Sequence, residues 1–139
     1  MEFYSMPLFV KMFVSNMAIS LSWYKDVLNF KSVFELPDKD GKTVMAHIRG
    51  KKYQDIMLVS KQSDHEFNGE SVILNLAVDD IDKFAIRAAK TGAEVKEGPV
   101  DRPWNARELV LKDPDGYVIT LSMMIDKGKA FDDVIDGTR

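Results

Sequence analysis

Side chains that could carry out chemistry are few in this chain. The sequence has no cysteine, which excludes disulfides, thiolate zinc sites and cysteine nucleophiles. It has two histidines, His47 and His65. His47 lies in a strand-like apolar run, where a partly buried, hydrogen-bonded histidine is the ordinary case and a cavity-lining histidine is the alternative. His65 lies in a polar stretch, where we expect exposure to solvent. Because a zinc site needs several converging ligands, these two residues do not predict one.

Other catalytic patterns are missing or have a structural explanation. No glycine-rich phosphate-binding pattern and no nucleophile-elbow motif occurs. The pair Asp79-Asp80 precedes a helical pattern, so capping of a helix explains it better than acid–base chemistry. Asp113 and Asp115 belong to an Asp-Pro-Asp-Gly sequence that is typical of a turn. These residue types therefore predict no catalytic residue.

The composition excludes several classes of partner. The 139 residues carry a net charge of −3 and contain no basic block, which argues against binding to nucleic acid. No apolar run approaches the length of a membrane-spanning helix, so no membrane partner is expected. The first residues lack the basic and apolar regions of a signal peptide, and a cytoplasmic protein is therefore expected.

The hydrophobic pattern of the first half predicts one strand, one helix and three further strands. An apolar run interrupted only by Lys11 predicts the first strand over 8–14, and a helical period with an Asn16 cap predicts a helix over 17–28. Strands are predicted over 30–36, 43–49 and 55–60. A polar linker of residues 61–70 follows.

The second half predicts the same order of elements. A strand is predicted over 71–78, and a helix from Ile81 ends before Gly92. A short strand over 93–96 is broken by Gly98-Pro99, and residues 100–104 are expected to form a loop. A hairpin of strands 108–112 and 117–123 completes the half, and residues 126–139 are expected to be a loosely held charged tail.

The two halves also share a local sequence pattern. Residues 12–17 and residues 76–81 each contain a strand that ends in Val, two capping residues and an apolar helix start, at a spacing of 64. This repeat indicates two βαβββ units.

Two βαβββ units, the Asp-Pro-Asp-Gly turn before the last strand and the sequence Ser-Trp-Tyr-Lys-Asp-Val-Leu-Asn-Phe at 22–30 resemble the vicinal oxygen chelate superfamily. This superfamily includes glyoxalase I, extradiol dioxygenases, fosfomycin resistance enzymes and bleomycin resistance proteins. The resemblance covers about residues 7–123. Trp104, followed three residues later by Arg107, resembles the bleomycin-resistance branch, whose members often have Trp-Gly where this chain has Trp104-Asn105.

The resemblance implies an α+β fold. Its two βαβββ modules, about 7–60 and 71–124, would form a curved, cup-like mixed sheet with helices on the outer face. These modules would make one domain of residues 1–125. The resemblance also implies a homodimer.

Enzymes of the superfamily hold a divalent metal with one residue from each of four cup strands. The resemblance assigns these positions to Phe9, Met57, Ile73 and Thr120. None of these side chains is an ordinary metal ligand, so we expect no metal and no other cofactor. Asp55 lies two positions from Met57, but one carboxylate does not make a site.

The same positions predict an apolar cup instead. Strand alternation directs Phe9, Lys11 and Phe13 into the cup and directs Leu8, Val10, Met12 and Val14 toward the first helix. In the fifth strand it directs Ile73, Asn75 and Ala77 inward, and Val72, Leu74, Leu76 and Val78 toward the second helix. The sequence does not show which of the adjacent residues Arg107 and Glu108 faces the cup. An inward Arg107 would hold an anionic group, and an inward Glu108 would favour a cationic ligand such as bleomycin.

These inferences predict a metal-free protein that binds a hydrophobic or aromatic small molecule, with drug sequestration as one form of this function. The expected ligand-binding residues are Phe9, Lys11, Phe13, His47, Met57, Ile73, Asn75, Trp104, Arg107, Glu108 and Thr120. Two alternatives remain. The first is a metal-dependent lyase or dioxygenase of the same superfamily, and the second is a structural or regulatory dimer module with no ligand.

Overall fold

A computed structural model describes Tyr4, Met6 and residues 8–61 and 72–129. His65, most of the predicted linker and the tail from residue 130 lie outside the described residues. The chain divides into two compact units, residues 1–68 and 69–139, which we describe separately as unit 1 and unit 2.

In its described residues, unit 1 contains one helix and four strands in the predicted order. These elements are β1 (Val10–Val14), α1 (Met17–Leu28), β2 (Lys31–Pro37), β3 (Thr43–Arg49) and β4 (Asp55–Ser60). The strands form one sheet in the order β1-β4-β3-β2, in which β1 and β4 are parallel and the other pairs are antiparallel.

Unit 2 repeats this arrangement. Its elements are β5 (Ile73–Ala77), α2 (Ile81–Thr91), β6 (Glu94–Arg102), β7 (Ala106–Lys112) and β8 (Val118–Met124). The strand order is β5-β8-β7-β6, again with one parallel pair, β5 and β8, and two antiparallel pairs. The prediction of an α+β fold with two βαβββ modules is confirmed.

Side chains cap both helices as their sequences predict. The Asn16 side chain accepts a hydrogen bond from the Ile19 N–H at the start of α1, and the Asp80 side chain accepts one from the Lys83 N–H at the start of α2. Each helix ends at a residue in the left-handed conformation, Asn29 or Gly92, as is common at helix C-termini. None of the described helices is long and apolar enough to span a membrane.

The core of each unit lies between its helix and one face of its sheet. Met12, Ile48 and Leu58 are at most 3% exposed in unit 1, as are Leu109 and Ile119 in unit 2. Each such side chain contributes about 1.5–3 kcal/mol through burial of apolar surface. Because strand residues alternate between the faces, the opposite face of each sheet carries no helix from the described part of the chain.

The first strands begin later than the sequence predicts. Leu8 and Val72 were expected to pack on the helices, but they are 76% and 64% exposed. Both residues precede the parallel ladders, whose first pairs are Val10 with Ile56 and Ile73 with Val118. They therefore lie beyond the part of the sheet that the helices cover.

The predicted break in β6 is wrong. This strand runs through Gly98-Pro99 to Arg102, although residues 100–104 were expected to form a loop. β6 is the edge strand of its sheet and its register with β7 shifts around these two residues, a setting in which proline is tolerated. Gly98 has φ +98°, and a Cβ there would overlap the carbonyl oxygen of Glu108. Glycine thus permits the close approach of β6 to β7.

Candidate functional site on the open sheet faces

The sheet face of unit 1 that points away from α1 is here called open face 1. Its residues alternate with the buried core residues and include Lys11, Phe13, Met57 and His47. Phe9 precedes β1 and is 38% exposed, and Phe13 is 39% exposed. The predicted direction of Lys11 and Phe13, away from the helix, therefore agrees with their burial pattern.

One row of cross-strand neighbours spans open face 1. Lys11 of β1 is the register partner of Met57 in β4, Met57 pairs with His47 in β3, and His47 pairs with Phe34 in β2. Neighbouring strands lie about 4.8 Å apart, so this row places apolar and polar side chains side by side. Phe34 is 54% exposed, although sequence reasoning did not select it.

A buried carboxylate anchors the polar part of open face 1. The Asp55 side chain is 0% exposed. Its Oδ1 atom lies 2.7 Å from His47 Nε2 and accepts a 2.6 Å hydrogen bond from Arg49 Nε. Its Oδ2 atom accepts a 2.6 Å hydrogen bond from the Tyr4 hydroxyl. Three donors thus satisfy a charge that would otherwise be costly to bury.

The aromatic ring of Tyr4 extends this network. The Arg49 guanidinium carbon lies 4.2 Å from the centroid of the Tyr4 ring, a cation–π distance. The Tyr4 hydroxyl also accepts a 2.7 Å hydrogen bond from the Tyr53 N–H. Arg49 is consequently held between a carboxylate and a ring.

Burial and hydrogen bonding act in opposite directions on Asp55. Burial raises the pKa of its carboxyl, but the hydrogen bonds from Tyr4, Arg49 and His47 outweigh this effect, and the pKa lies below its ordinary value. Burial and the hydrogen bond to Asp55 raise the pKa of Tyr4. Near neutral pH, therefore, Asp55 is an ionised acceptor and Tyr4 a protonated donor.

The corresponding face of unit 2, which points away from α2, is here called open face 2. Thr120 of β8 pairs with Asn75 in β5 and with Val110 in β7. Ile73 is 59% exposed on the same face. Asn75 and Lys11 are equivalent in their sheets, because each belongs to the first strand of its unit and pairs with the last.

The structure shows that Glu108 and Arg107 face opposite sides of the sheet. Glu108 pairs with Ser122, two residues from Thr120, and shares open face 2 with it. Arg107 lies on the opposite side, where its guanidinium donates to Asp82 of α2 at 3.0 Å and to Asp101 at 2.9 Å. The structure thus separates Arg107 from the other predicted ligand-binding residues of its unit.

Glu108 is the centre of a polar cluster on open face 2. It is 8% exposed, and its Oε1 atom accepts a 2.9 Å hydrogen bond from Arg102 Nε. Its Oε2 atom accepts hydrogen bonds of 3.2 Å from Trp104 Nε1 and from the Ser122 hydroxyl. Arg102 also donates to both carboxylate oxygens of Glu97, and its hydrogen bonds to Glu97 and Glu108 raise its pKa.

Trp104 lies in the turn between β6 and β7 and is 48% exposed. Asn105 follows it with φ +61°, a left-handed conformation that glycine and asparagine adopt readily. Asn105 also donates to the Asp126 carbonyl and accepts from the Asp126 N–H, both at 2.9 Å. Asn105 can therefore adopt the turn conformation that glycine would allow. It also holds the backbone of Asp126, the first residue of the predicted tail, against the turn.

Two grooves lie on the helix side of unit 1. One, of about 450 Å³, is lined by Tyr24, Phe30 and Ile48 among others. The other, of about 700 Å³, is lined by residues such as Asn16, Leu21 and Asp38. Neither includes a predicted ligand-binding residue.

A family model described as the Glyoxalase/Bleomycin resistance protein/Dioxygenase superfamily matches residues 7–121. The matched region includes both βαβββ units up to the middle of β8. This chain belongs to that superfamily.

Solved structures of the superfamily's fold are similar over most of the chain. TioX from Micromonospora sp. ML1 is 17% identical with a TM-score of 0.70, over 84% of this chain and 97% of TioX. TnmS3, an antibiotic binding protein from Streptomyces sp. CB03234, is 26% identical with a TM-score of 0.64, over 84% and 93%. The fosfomycin resistance protein FosX from Listeria monocytogenes is 15% identical with a TM-score of 0.66, over 86% and 93%. No curated protein matches this chain.

The four positions assigned to the superfamily's metal do not fit a metal ion. Met57 lies on open face 1 and Phe9 precedes its first strand, while Ile73 and Thr120 lie on open face 2. Their side chains offer one hydroxyl and one thioether and no carboxylate or imidazole. Among the described residues, no group of three His, Cys, Asp or Glu side chains could hold a metal.

Sequence reasoning missed several residues that the structure places at these faces. The Arg49–Asp55 pair could have been found by extending the predicted β3–β4 hairpin, because the two residues are direct partners in its register. Tyr4 lies 51 residues from Asp55 in the sequence and no pattern signals their contact. Arg102 was not predicted as a site residue because residues 100–104 were expected to form a loop.

Replacing Asp55 with asparagine should destabilise the protein by roughly 2–4 kcal/mol near neutral pH, since the substitution removes a buried charge with three donors. The pKa of Asp55 is lowered in the folded protein, so its stabilisation is present above the unfolded-state pKa of about 3.9 and is lost as pH falls through the folded-state value. The difference between wild type and Asp55→Asn should therefore shrink below about pH 4.

Denaturant unfolding at several pH values measures this difference. Asp40→Asn, in the exposed β2–β3 turn, is the matched control and should change stability by no more than about 0.5 kcal/mol. A difference for Asp55→Asn that stays constant through the acidic range would contradict the account.

Proposed function

We propose that this protein binds a hydrophobic or aromatic small molecule on its open sheet faces, without a metal ion. The observation that carries this proposal is the composition of open face 1, where exposed aromatic side chains lie on the same face as the hydrogen-bonded network of Asp55. A small-molecule site typically combines an apolar lining with a few fixed polar groups. Phe34 and Phe13 would supply the lining, and His47 a polar group.

Open face 2 supports the same proposal with different chemistry. Ile73 and Trp104 are 59% and 48% exposed. Glu108 lies beside Trp104 and accepts its indole N–H. The cluster of Glu97, Arg102 and Glu108 carries one net negative charge, which would favour a ligand with a positively charged group on this face.

A named relative adds support for the ligand class. TnmS3, at 26% identity, is described as an antibiotic binding protein. If the same function holds for this chain, the protein would sequester a drug. Each site would bury one drug molecule, and no bond of the ligand would be broken. Phe9, Met57, Asn75 and Thr120 complete the proposed ligand-contacting set, together with Lys11.

We include in this proposal a homodimer in the cytoplasm. Exposed apolar side chains outside the proposed ligand-contacting set, such as Leu8, Met124 and Ile125, support the assembly, since monomeric soluble proteins rarely leave large apolar patches uncovered. The superfamily resemblance favours two-fold symmetry.

Metal analysis separates this proposal from a metal-dependent lyase or dioxygenase. After exposure to nickel, zinc, iron or manganese and extensive dialysis, we expect far less than one metal ion per chain. The double variant Phe9→His, Thr120→Glu should also remain metal-poor, because Met57 still offers only a thioether and Ile73 offers no donor atom. Stoichiometric metal in the wild type would contradict metal-free binding.

Binding of the aromatic dye 8-anilinonaphthalene-1-sulfonate tests the role of open face 1. Phe34→Ser should weaken binding at least tenfold, about 1.4 kcal/mol, because it removes a large exposed aromatic contact. Titration calorimetry measures the affinity.

The matched control is Ile86→Ser, which removes an apolar side chain of similar exposure, 58%, from α2. Its affinity for the dye should equal that of the wild type. Equal weakening by both substitutions would mean that the dye binds apolar surface without preference for the open face.

A further inference from the structure

His47 has one imidazole nitrogen with a fixed partner and one without. Nε2 lies 2.7 Å from Asp55 Oδ1. Among the residues that the structure describes, no hydrogen bond to Nδ1 of His47 occurs. The buried polar atoms without a partner in this described part do not include Nδ1 either, so this nitrogen is reached by solvent.

The neighbours of Asp55 determine which nitrogen carries the proton. Arg49 is always charged, and its Nε donates to the same Oδ1 atom that faces His47. A carboxylate held by Arg49 and by the Tyr4 hydroxyl accepts hydrogen bonds and does not donate them. Nε2–H must therefore be the donor to Asp55, and in a neutral imidazole Nδ1 is then an acceptor.

The residues around His47 Nδ1 determine which kind of hydrogen-bond donor a ligand can offer to it. Its cross-strand neighbours are Phe34 and Met57, so the surface beside it is apolar. Lys11 and Arg49 contribute two positive charges to the same face against one negative charge, that of Asp55. A cationic donor on the ligand would be repelled here, whereas a neutral hydroxyl donor would not.

We propose that His47 Nδ1 accepts a hydrogen bond from the hydroxyl group of a phenolic ligand, with Asp55 fixing the tautomer and the ring orientation. This inference rests on the proposed function and names the ligand class for open face 1. The phenol ring would lie against Phe34 and Met57. Asp55 acts here as a positioning residue, since its oxygens are engaged by Tyr4, Arg49 and His47.

A matched pair of probes tests the inference by titration calorimetry near neutral pH. 1-Naphthol offers a hydroxyl donor, whereas 1-methoxynaphthalene has a similar ring and no donor. The wild type should bind 1-naphthol about tenfold more tightly, the worth of one hydrogen bond in an apolar site. His47→Phe should reduce this preference to less than about twofold and keep affinity for the methoxy probe. Ile19→Ser, at an exposed position of α1, should keep the wild-type preference.

Equal affinity of the wild type for the two probes would overturn the role of His47 and leave the proposed function intact. Failure of both probes to bind would overturn the proposed function and the inference with it. If His47→Phe does not fold, nitrogen-15 NMR of the wild-type imidazole near pH 8 remains decisive. We expect a protonated Nε2 and an unprotonated Nδ1, and the opposite tautomer would overturn the inference.

Discussion

Among the residues that the structure describes, each four-stranded sheet has one helix, and this helix covers only one face of the sheet. The alternation of strand side chains then places half of the residues of every strand on a face that its own unit leaves open. A sheet face open to water is ordinarily polar, but these faces carry exposed Phe13, Phe34 and Ile73. This apolar content is the constraint from which the functional proposals follow, because a ligand or a second chain would remove it from water.

Hydrogen bonds hold one buried carboxylate in place on each open face. Asp55 and Glu108 are both carboxylates, and each is held by an arginine and by an aromatic donor: Arg49 and Tyr4 for Asp55, and Arg102 and Trp104 for Glu108. An ionised group with satisfied partners loses little mobility when a ligand arrives, so less free energy is spent on ordering the site. The two clusters use different strands, however, so they are not copies produced by the internal repeat.

Sequence reasoning predicted the elements well because local signals determine them. Asn16 and Asp80 cap the helices, the Asp113–Gly116 turn joins β7 to β8, and strand alternation separates Lys11 and Phe13 from the core. It failed at β6, where tolerance of a proline depends on the strand being at a sheet edge, a property of the tertiary structure.

The site could be predicted only in part. The residue types alone show that the four metal positions do not suit a metal ion. Glu108 was predicted as a ligand-binding residue, but the sequence did not show which side of the sheet its side chain faces. The networks that position His47 and Glu108 could not be predicted, since they depend on contacts across strands and, for Tyr4, on a residue far away in sequence. The positive φ of Asn105 explains why asparagine can stand where the resemblance to the bleomycin-resistance branch predicts glycine.

Under the proposed function, small aromatic molecules bind the open faces and not the helix side. Nitrogen-15 chemical-shift mapping of the full chain with 8-anilinonaphthalene-1-sulfonate tests it most directly. The account predicts that the largest shifts occur at Phe34, His47 and Met57 and at their neighbours on the open face. Shifts confined to the helix-side groove around Leu21, Lys25 and Ser32 would contradict it.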